Sequence, residues 1–396
     1  MTDIQSPSSL RRMAGFATGL FAVQTFWGFT WATLPLFLRG FAGSNTVTGI
    51  LLSTTGITGI ILPVLSGMLS DRISTRWGRR RPVIAAGWSL ACAALLAMPW
   101  VPALPAVLVL LVLAYAGFFT AMGPYFALLA DTFRPEERSK ATGIMFLVGG
   151  TGILSYLLVP ARLYEIWRLW PFLWTVGGIL IANAVLFSVI GERPAAPARG
   201  NGRGIFAEVF GEREVMRFYG GMILWWIGLW MVSAFFIIAY REIFRVSTGK
   251  ALTAFFIFNV SFVASALPAG LLGIRYGLKR IYAIGLGLLA VGLACTPFIG
   301  GYAASLPFLV VAGASYSAVL AVSYPFFLRL LPPGNTAGFV GLYMACQNGT
   351  LLVGPALGGV VIDLFGYSVL FIASGCAILA GLAVFLSVRE GRVNAD

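Results

Sequence analysis

Apolar residues come in long, nearly unbroken runs along this chain, each about 20 to 25 residues in length, separated by short polar segments rich in Gly, Pro and Arg. Reading each run as one element places spans near 15–38, 47–70, 83–103, 105–131, 139–161, 170–191, 216–240, 249–272, 281–299, 305–330, 337–362 and 367–388. Runs of this length match a helix crossing a hydrocarbon core about 30 Å thick, whereas barrel strands would show about ten alternating residues. Inside lipid only helices and closed barrels satisfy their own backbone groups. The pattern therefore predicts an all-α membrane protein of 12 transmembrane helices.

Composition agrees. Of 396 residues 59% are hydrophobic and only 10% are charged, against about 25% charged in a soluble domain. The formal charge of +13 would suit nucleic acid if it formed one basic face. Here the basic residues sit instead in short loops between apolar runs, so no nucleic-acid partner is expected. With both termini on one side, 21 of the 27 Lys and Arg fall on that side. The asymmetry predicts a multi-pass protein of the cell inner (plasma) membrane with cytoplasmic N- and C-termini. The four cysteines, Cys92, Cys295, Cys346 and Cys376, are isolated within apolar runs, and the chain has no histidine. No metal, no cofactor and no enzyme activity are expected from such a set. The 15–38 run is too long for a signal-peptide core and carries no cleavage site.

The longest connection splits the chain into an N-terminal half, 1–191, a cytoplasmic linker, 192–214, and a C-terminal half, 215–396. The end of the linker, Ile205 to Val215, reads either as a short amphipathic surface helix or as plain tether. The halves repeat. GMLSDRISTRWGRRRP (Gly67 to Pro82) ends the second span, and GLLGIRYGLKR (Gly270 to Arg280) ends the eighth. Their first glycines lie 203 residues apart and their later ones, Gly78 and Gly277, 199 apart, which implies one four-residue insertion. Trp27 and Trp230 match at the first offset. Tyr125 and Tyr324 match at the second, as do Gly150-Thr151 and Gly349-Thr350. Two parallel six-helix repeats are a transporter architecture.

The Gly67–Pro82 segment resembles the signature between the second and third helices of the major facilitator superfamily. The resemblance implies that fold, with two pseudo-symmetric halves around a central cavity. It also implies a conformational latch: Gly67 packs closely, and Asp71, beside Arg72, holds Arg79 together with Asp131 at the end of the fourth span. Two carboxylates and a guanidinium at one membrane boundary make charge-assisted hydrogen bonds that must break as the protein changes state. In the second copy Ile274 replaces the acid, so its latch is expected to be weaker or absent. GPYFALLADTFRPEERSKATG (Gly123 to Gly143) is similar to the sucrose-transporter and glycoside–pentoside–hexuronide branch. Tyr115 and Phe126 stand where that branch's proton symporters keep an acid and an arginine, which speaks against their coupling mechanism.

Every acid falls in a loop or at a helix end. Candidate substrate groups are therefore neutral: Gln24, Trp27, Tyr125, Trp226, Trp230, Asn259, Tyr324, Gln347 and Asn348. Rings stack on apolar faces and amides bond hydroxyls. The same tryptophans also suit packing or an interfacial belt, and the same amides suit interhelical bonds. The leading expectation is a secondary transporter moving a small neutral organic solute, with a sugar or glycoside foremost, by alternating access. An efflux carrier for hydrophobic compounds and a non-transporting lipid or pigment delivery factor are the alternatives. The expected partners are the small-molecule substrate and membrane lipids, the chain working as a monomer.

Overall fold

The computed structural model describes residues 7–73, 75–191, 211–331 and 336–389. The 192–210 part of the expected linker, with most of the Ile205–Val215 segment, lies outside them. The helices are α1 (Pro7–Ala32), α2 (Leu34–Ala42), α3 (Asn45–Arg72), α4 (Arg81–Ala97), α5 (Leu104–Thr132), α6 (Pro135–Leu158) and α7 (Pro160–Leu163). They continue with α8 (Trp170–Val189), α9 (Arg213–Phe244), α10 (Thr248–Tyr276), α11 (Leu278–Cys295), α12 (Tyr302–Leu330), α13 (Thr336–Phe365) and α14 (Tyr367–Leu386). Among the described residues, 11 helices are long and apolar enough to cross a membrane. Outside that set lies α1, whose 26 residues make about 39 Å of helix and whose Thr18, Gln24, Thr25 and Thr30 dilute its apolar character, together with the nine-residue α2.

The expected first span, 15–38, is divided at Thr33, where α1 gives way to α2. Pro35 explains the break, because a proline inside a helix has no N–H to donate and crowds the carbonyl one turn earlier. Prolines at the opening of α4, α5, α6 and α8 stand where the backbone N–H has no helical partner to lose.

Two compact units result, one drawn from residues 1–42 and 57–199, the other from 43–56 and 200–396. Helix α3 thus belongs to the second unit up to Gly56 and to the first from Ile57 onward. In the first unit α1 packs on α6 and α8, and α4 packs on α5 and α8. In the second, α9 packs on α13 and α14, α10 on α12, and α11 on α12 and α14. Without a hydrophobic drive between helices in lipid, close backbone approach supplies the attraction. At the α4–α5 contact a methyl on Gly117 would stand 2.5 Å from the Gly87 oxygen. At the α9–α14 contact a methyl on Gly381 would stand 2.7 Å from the Gly221 oxygen. Both seams require glycine. Large apolar side chains such as Ile57, Val109, Leu147, Ile181 and Leu267 remain exposed, as a surface solvated by lipid demands.

Candidate functional site

The Arg-rich turn of the first unit is built by a tight loop. Thr75 and Gly78 exchange backbone hydrogen bonds (3.2 and 3.0 Å), and Gly78 has φ +105°. The turn delivers three consecutive arginines to the start of α4; two meet the same pair of acids and the third turns to α8. Arg79 Nη2 donates to Asp131 Oδ1 at 2.8 Å, with Asp71 at 3.8 Å. Arg80 Nη2 reaches Asp71 Oδ1 at 2.7 Å, and its Nε reaches Asp131 Oδ2 at 3.1 Å. Its Nη1 also donates to Ser70 Oγ (2.6 Å) and to the Gly67 carbonyl (3.3 Å). Arg81 donates to the Phe187 carbonyl on α8 at 2.8 Å.

The cluster expected of Asp71, Arg79 and Asp131 is therefore present, and its most buried member is a residue the sequence left unassigned. Arg80 is 7% exposed and bridges both acids. A run of arginines does not say which one points inward, so no sequence signal marked it. Arg72 is exposed at the end of α3, and a methyl on Gly67 would meet no atom within 4 Å. Beside the cluster lies an open cavity of about 450 Å³ lined by Arg12, Asp131, Thr132, Phe133, Arg134, Glu137 and Gly191.

Midway along α1 the neutral candidates separate. Trp27 is half-buried, stacks on Trp31 (5.5 Å between centroids) and takes the edge of Phe118 at 5.1 Å. Gln24 is half-buried and lies against Gly152 of α6. Tyr125 is 2% exposed, stacks on Phe16 at 5.0 Å, and donates its hydroxyl proton to the Phe16 carbonyl at 3.1 Å. Its ring fills the space above Gly19, so here it packs helices together.

In the second unit α9 presents a ladder of rings. Trp225 stacks on Trp226 (4.3 Å) and Trp226 on Trp230 (4.9 Å), while Tyr316 of α12 meets Trp226 edge-on at 6.3 Å. Phe262 of α10 stacks on Tyr316 at 5.1 Å, extending the wall. Trp225 Nε1 donates to the Tyr282 hydroxyl at 2.7 Å, which identifies it as a packing residue. Tyr316 was not a sequence candidate; nothing in spacing distinguishes it from a core ring. Asn259 is buried and donates Nδ2 to the Phe255 carbonyl one turn back at 2.8 Å. Tyr324 is 37% exposed and meets the edge of Tyr343 at 5.6 Å. Gln347 and Asn348 are half-buried on α13.

The profile of the Major Facilitator Superfamily matches residues 16–264 and 218–395. The chain belongs to that superfamily. This is a family of membrane transporters and not of enzymes, and the chain is a multi-pass membrane protein of its fold. A solved structure of the nucleoside transporter NupG superimposes with a TM-score of 0.75, covering 96% of this chain and 99% of that one at 15% identity. The general alpha-glucoside permease of Schizosaccharomyces pombe is 27% identical over 187 residues, 43% of this chain and 34% of the permease. The tetracenomycin C resistance and export protein of Streptomyces glaucescens is 27% identical over 138 residues, 34% of this chain and 26% of that protein. A sucrose transport protein of Oryza sativa subsp. japonica is 31% identical over 94 residues, 23% of this chain and 17% of it. The matched part thus spans about a third or less of each of these curated relatives.

Proposed function

We propose that this protein is a secondary carrier of a small, neutral, hydroxyl-rich solute of the sugar or glycoside class, working by alternating access. The observation that carries the reading is the chemistry of the candidate walls. In the first unit Trp27 and Trp31 stack beside Gln24; in the second Trp226, Trp230 and Tyr316 form a ladder, and the same unit carries the polar side chains of Tyr324, Gln347 and Asn348. None of these side chains is charged. Aromatic faces take the apolar face of a sugar ring, while amides and phenols answer its hydroxyls. Asn259 would hold the α10 wall in place through its bond to Phe255. Tyr125 would support α1 from behind, since its hydroxyl is already committed to Phe16. The alpha-glucoside permease and the sucrose transport protein support the same substrate class.

A second reading has its own observation. The export protein of Streptomyces glaucescens aligns over a third of the chain, and a charge-free aromatic wall also suits an apolar compound leaving the membrane. In both readings the Arg-rich end is the cytoplasmic one, and Asp71, Arg79, Arg80 and Asp131 form the latch that closes there.

A thermal-shift screen of the purified protein against sugars, glycosides, nucleosides and hydrophobic drugs separates the two, because a ligand of the folded state raises the midpoint in proportion to ln(1 + [L]/Kd). A hydroxylated ligand whose shift disappears in Trp230→Ala, the half-buried ring of the ladder, supports the first reading. Shifts confined to hydrophobic drugs overturn it in favour of efflux.

A further inference from the structure

The first turn of α3 has its free backbone donors satisfied by a side chain more than three hundred residues away. Asp363, near the end of α13, accepts from Asn45 N (3.2 Å) and Asn45 Nδ2 (2.8 Å) with Oδ1. Its Oδ2 accepts from Thr46 N and Thr46 Oγ1, both at 2.7 Å. Ser44 Oγ takes the next amide, Val47 N, at 3.1 Å. Tyr367, at the start of α14, donates its hydroxyl to Asn45 Oδ1 at 3.4 Å, which leaves the amide nitrogen for Asp363. A helix N-terminus carries partial positive charge and unpaired N–H groups, and a carboxylate is the side chain best suited to it. Four donors to one ionised group is a full complement of charge-assisted bonds.

The capped turn continues into a zipper between backbones. Residues 45–56 of α3 and 352–363 of α13 approach so closely that a methyl on Gly49 would collide with the Pro355 carbonyl and one on Gly56 with the Leu352 amide. A methyl on Gly359 would strike the carbonyl of Asn45. Between these contacts Ser53 Oγ accepts from the Ala356 amide at 3.0 Å. The zipper is held by close backbone approach at small residues and by the Ser53–Ala356 hydrogen bond. Its strongest single attachment is the carboxylate at its end.

Helix α3 is 28 residues long, a rod of about 42 Å, and it passes from one compact unit into the other at Gly56. At its last turn its own Asp71 is held by Arg79 and Arg80. The same helix is therefore pinned by a carboxylate at both ends. We propose that Asp363 is a conformational clasp for the Arg-poor end of the protein. In the state described here the carboxylate caps α3 and the zipper is shut; in the alternative state Asp363 returns to water and residues 45–56 separate from α13. The ligand of the clasp is the chain's own helix terminus, and its strength sets how often this end opens.

The test uses the full chain with its four native cysteines replaced, spin-labelled at Ile50→Cys and Leu364→Cys, both exposed positions flanking the zipper, and measured without substrate. The reference gives a single short distance. Asp363→Ala raises the separated population by about tenfold, the scale expected for losing hydrogen bonds to a charged group, while Asp363→Glu retains most of the short distance. Gly49→Trp, which wedges the zipper apart, marks the position of the separated peak. A second label pair at Leu288→Cys and Leu379→Cys, on the packed helices α11 and α14, reports whether the unit itself remains intact. An unchanged distribution in Asp363→Ala overturns the clasp, whether or not the wedge shifts it. A shift of the second pair equal to the first also overturns it, because that shows loss of structure and not release of a cap.

Discussion

Two turns of this protein share a positive-φ glycine and differ in length and chemistry. In the first unit α3 passes to α4 through Gly78 at φ +105°, and in the second α10 passes to α11 through Gly277 at φ +93°. A methyl at Gly277 would meet no neighbouring atom within 4 Å, so that glycine is there for backbone conformation. Around the two glycines the charges diverge. The first turn gathers Asp71, Asp131, Arg79 and Arg80 into one cluster. At the second, Ile274 stands where the acid would be and is 81% exposed. Arg275 lies over the Tyr276 ring at 5.2 Å, and Lys279 Nζ donates to the Val388 carbonyl at 2.6 Å. The positive-φ glycine and the charge network are thus separable: both turns have the first, and acids on neighbouring helices supply the second in one turn alone.

The largest expected consequence falls on Arg80. Removing it leaves Asp71 and Asp131 facing each other with Arg79 alone between them, and breaking a buried ion pair costs more than the pair contributed. Arg80→Ala should lower stability by about 3 kcal/mol, at the lower end of the range for buried pairs because both acids keep some water contact. Lys279→Ala, in the matching turn, loses one bond to a carbonyl and should cost about 1 kcal/mol. Denaturant or thermal unfolding in detergent compares the two. Equal losses would show that the cluster is no more than a set of surface charges.

How much of this was legible in the sequence follows from the same contrast. Hydrophobic run length located the spanning helices because lipid leaves no alternative to them. The Asp71–Asp131 pairing came from a motif whose acids are costly at a membrane boundary unless partnered. The choice among Arg79, Arg80 and Arg81 was not legible, since it depends on the twist of the Thr75–Gly78 turn. Offsets between the halves matched Tyr125 with Tyr324, yet the first is buried against Phe16 and the second is 37% exposed. Register says which residues correspond and nothing about what each one faces. Asp363 passed unnoticed for a different reason: its partners Asn45 and Thr46 lie in a segment with no charge, so only folding reveals that a helix terminus is the counter-group.

The second effect should be smaller and the same in both turns. Gly78→Ala and Gly277→Ala each force an L side chain into a positive-φ conformation, at a cost of about 1–2 kcal/mol. A methyl on Gly277 meets no neighbour, so its value reports the backbone cost alone. Unfolding midpoints of the two single variants check this. A much larger loss at Gly78 would mean that the turn's shape also sets the geometry of the charge cluster, and the separation drawn above would fail.

The smallest expected effect is that of a proton gradient on transport. A carrier driven by protons needs an acid that both sides of the membrane reach in turn, and such a group is normally found within the span. The acids in or beside the described helices lie near their ends, among them Asp71 and Asp131 in the arginine cluster, Glu214 against Arg217, Glu242 in the last turn of α9, and Asp363 on the first turn of α3. The matching turn of the second unit, 270–280, contains no acid. Uptake of a hydroxylated substrate into proteoliposomes should follow the substrate's own gradient, with and without an imposed pH difference. Accumulation against that gradient, abolished by a protonophore, would show that one of these end carboxylates leaves its partner during the cycle. Asp363 would then be the first to examine, because its partners are neutral donors and it is exposed, whereas Asp71 and Asp131 share two guanidiniums.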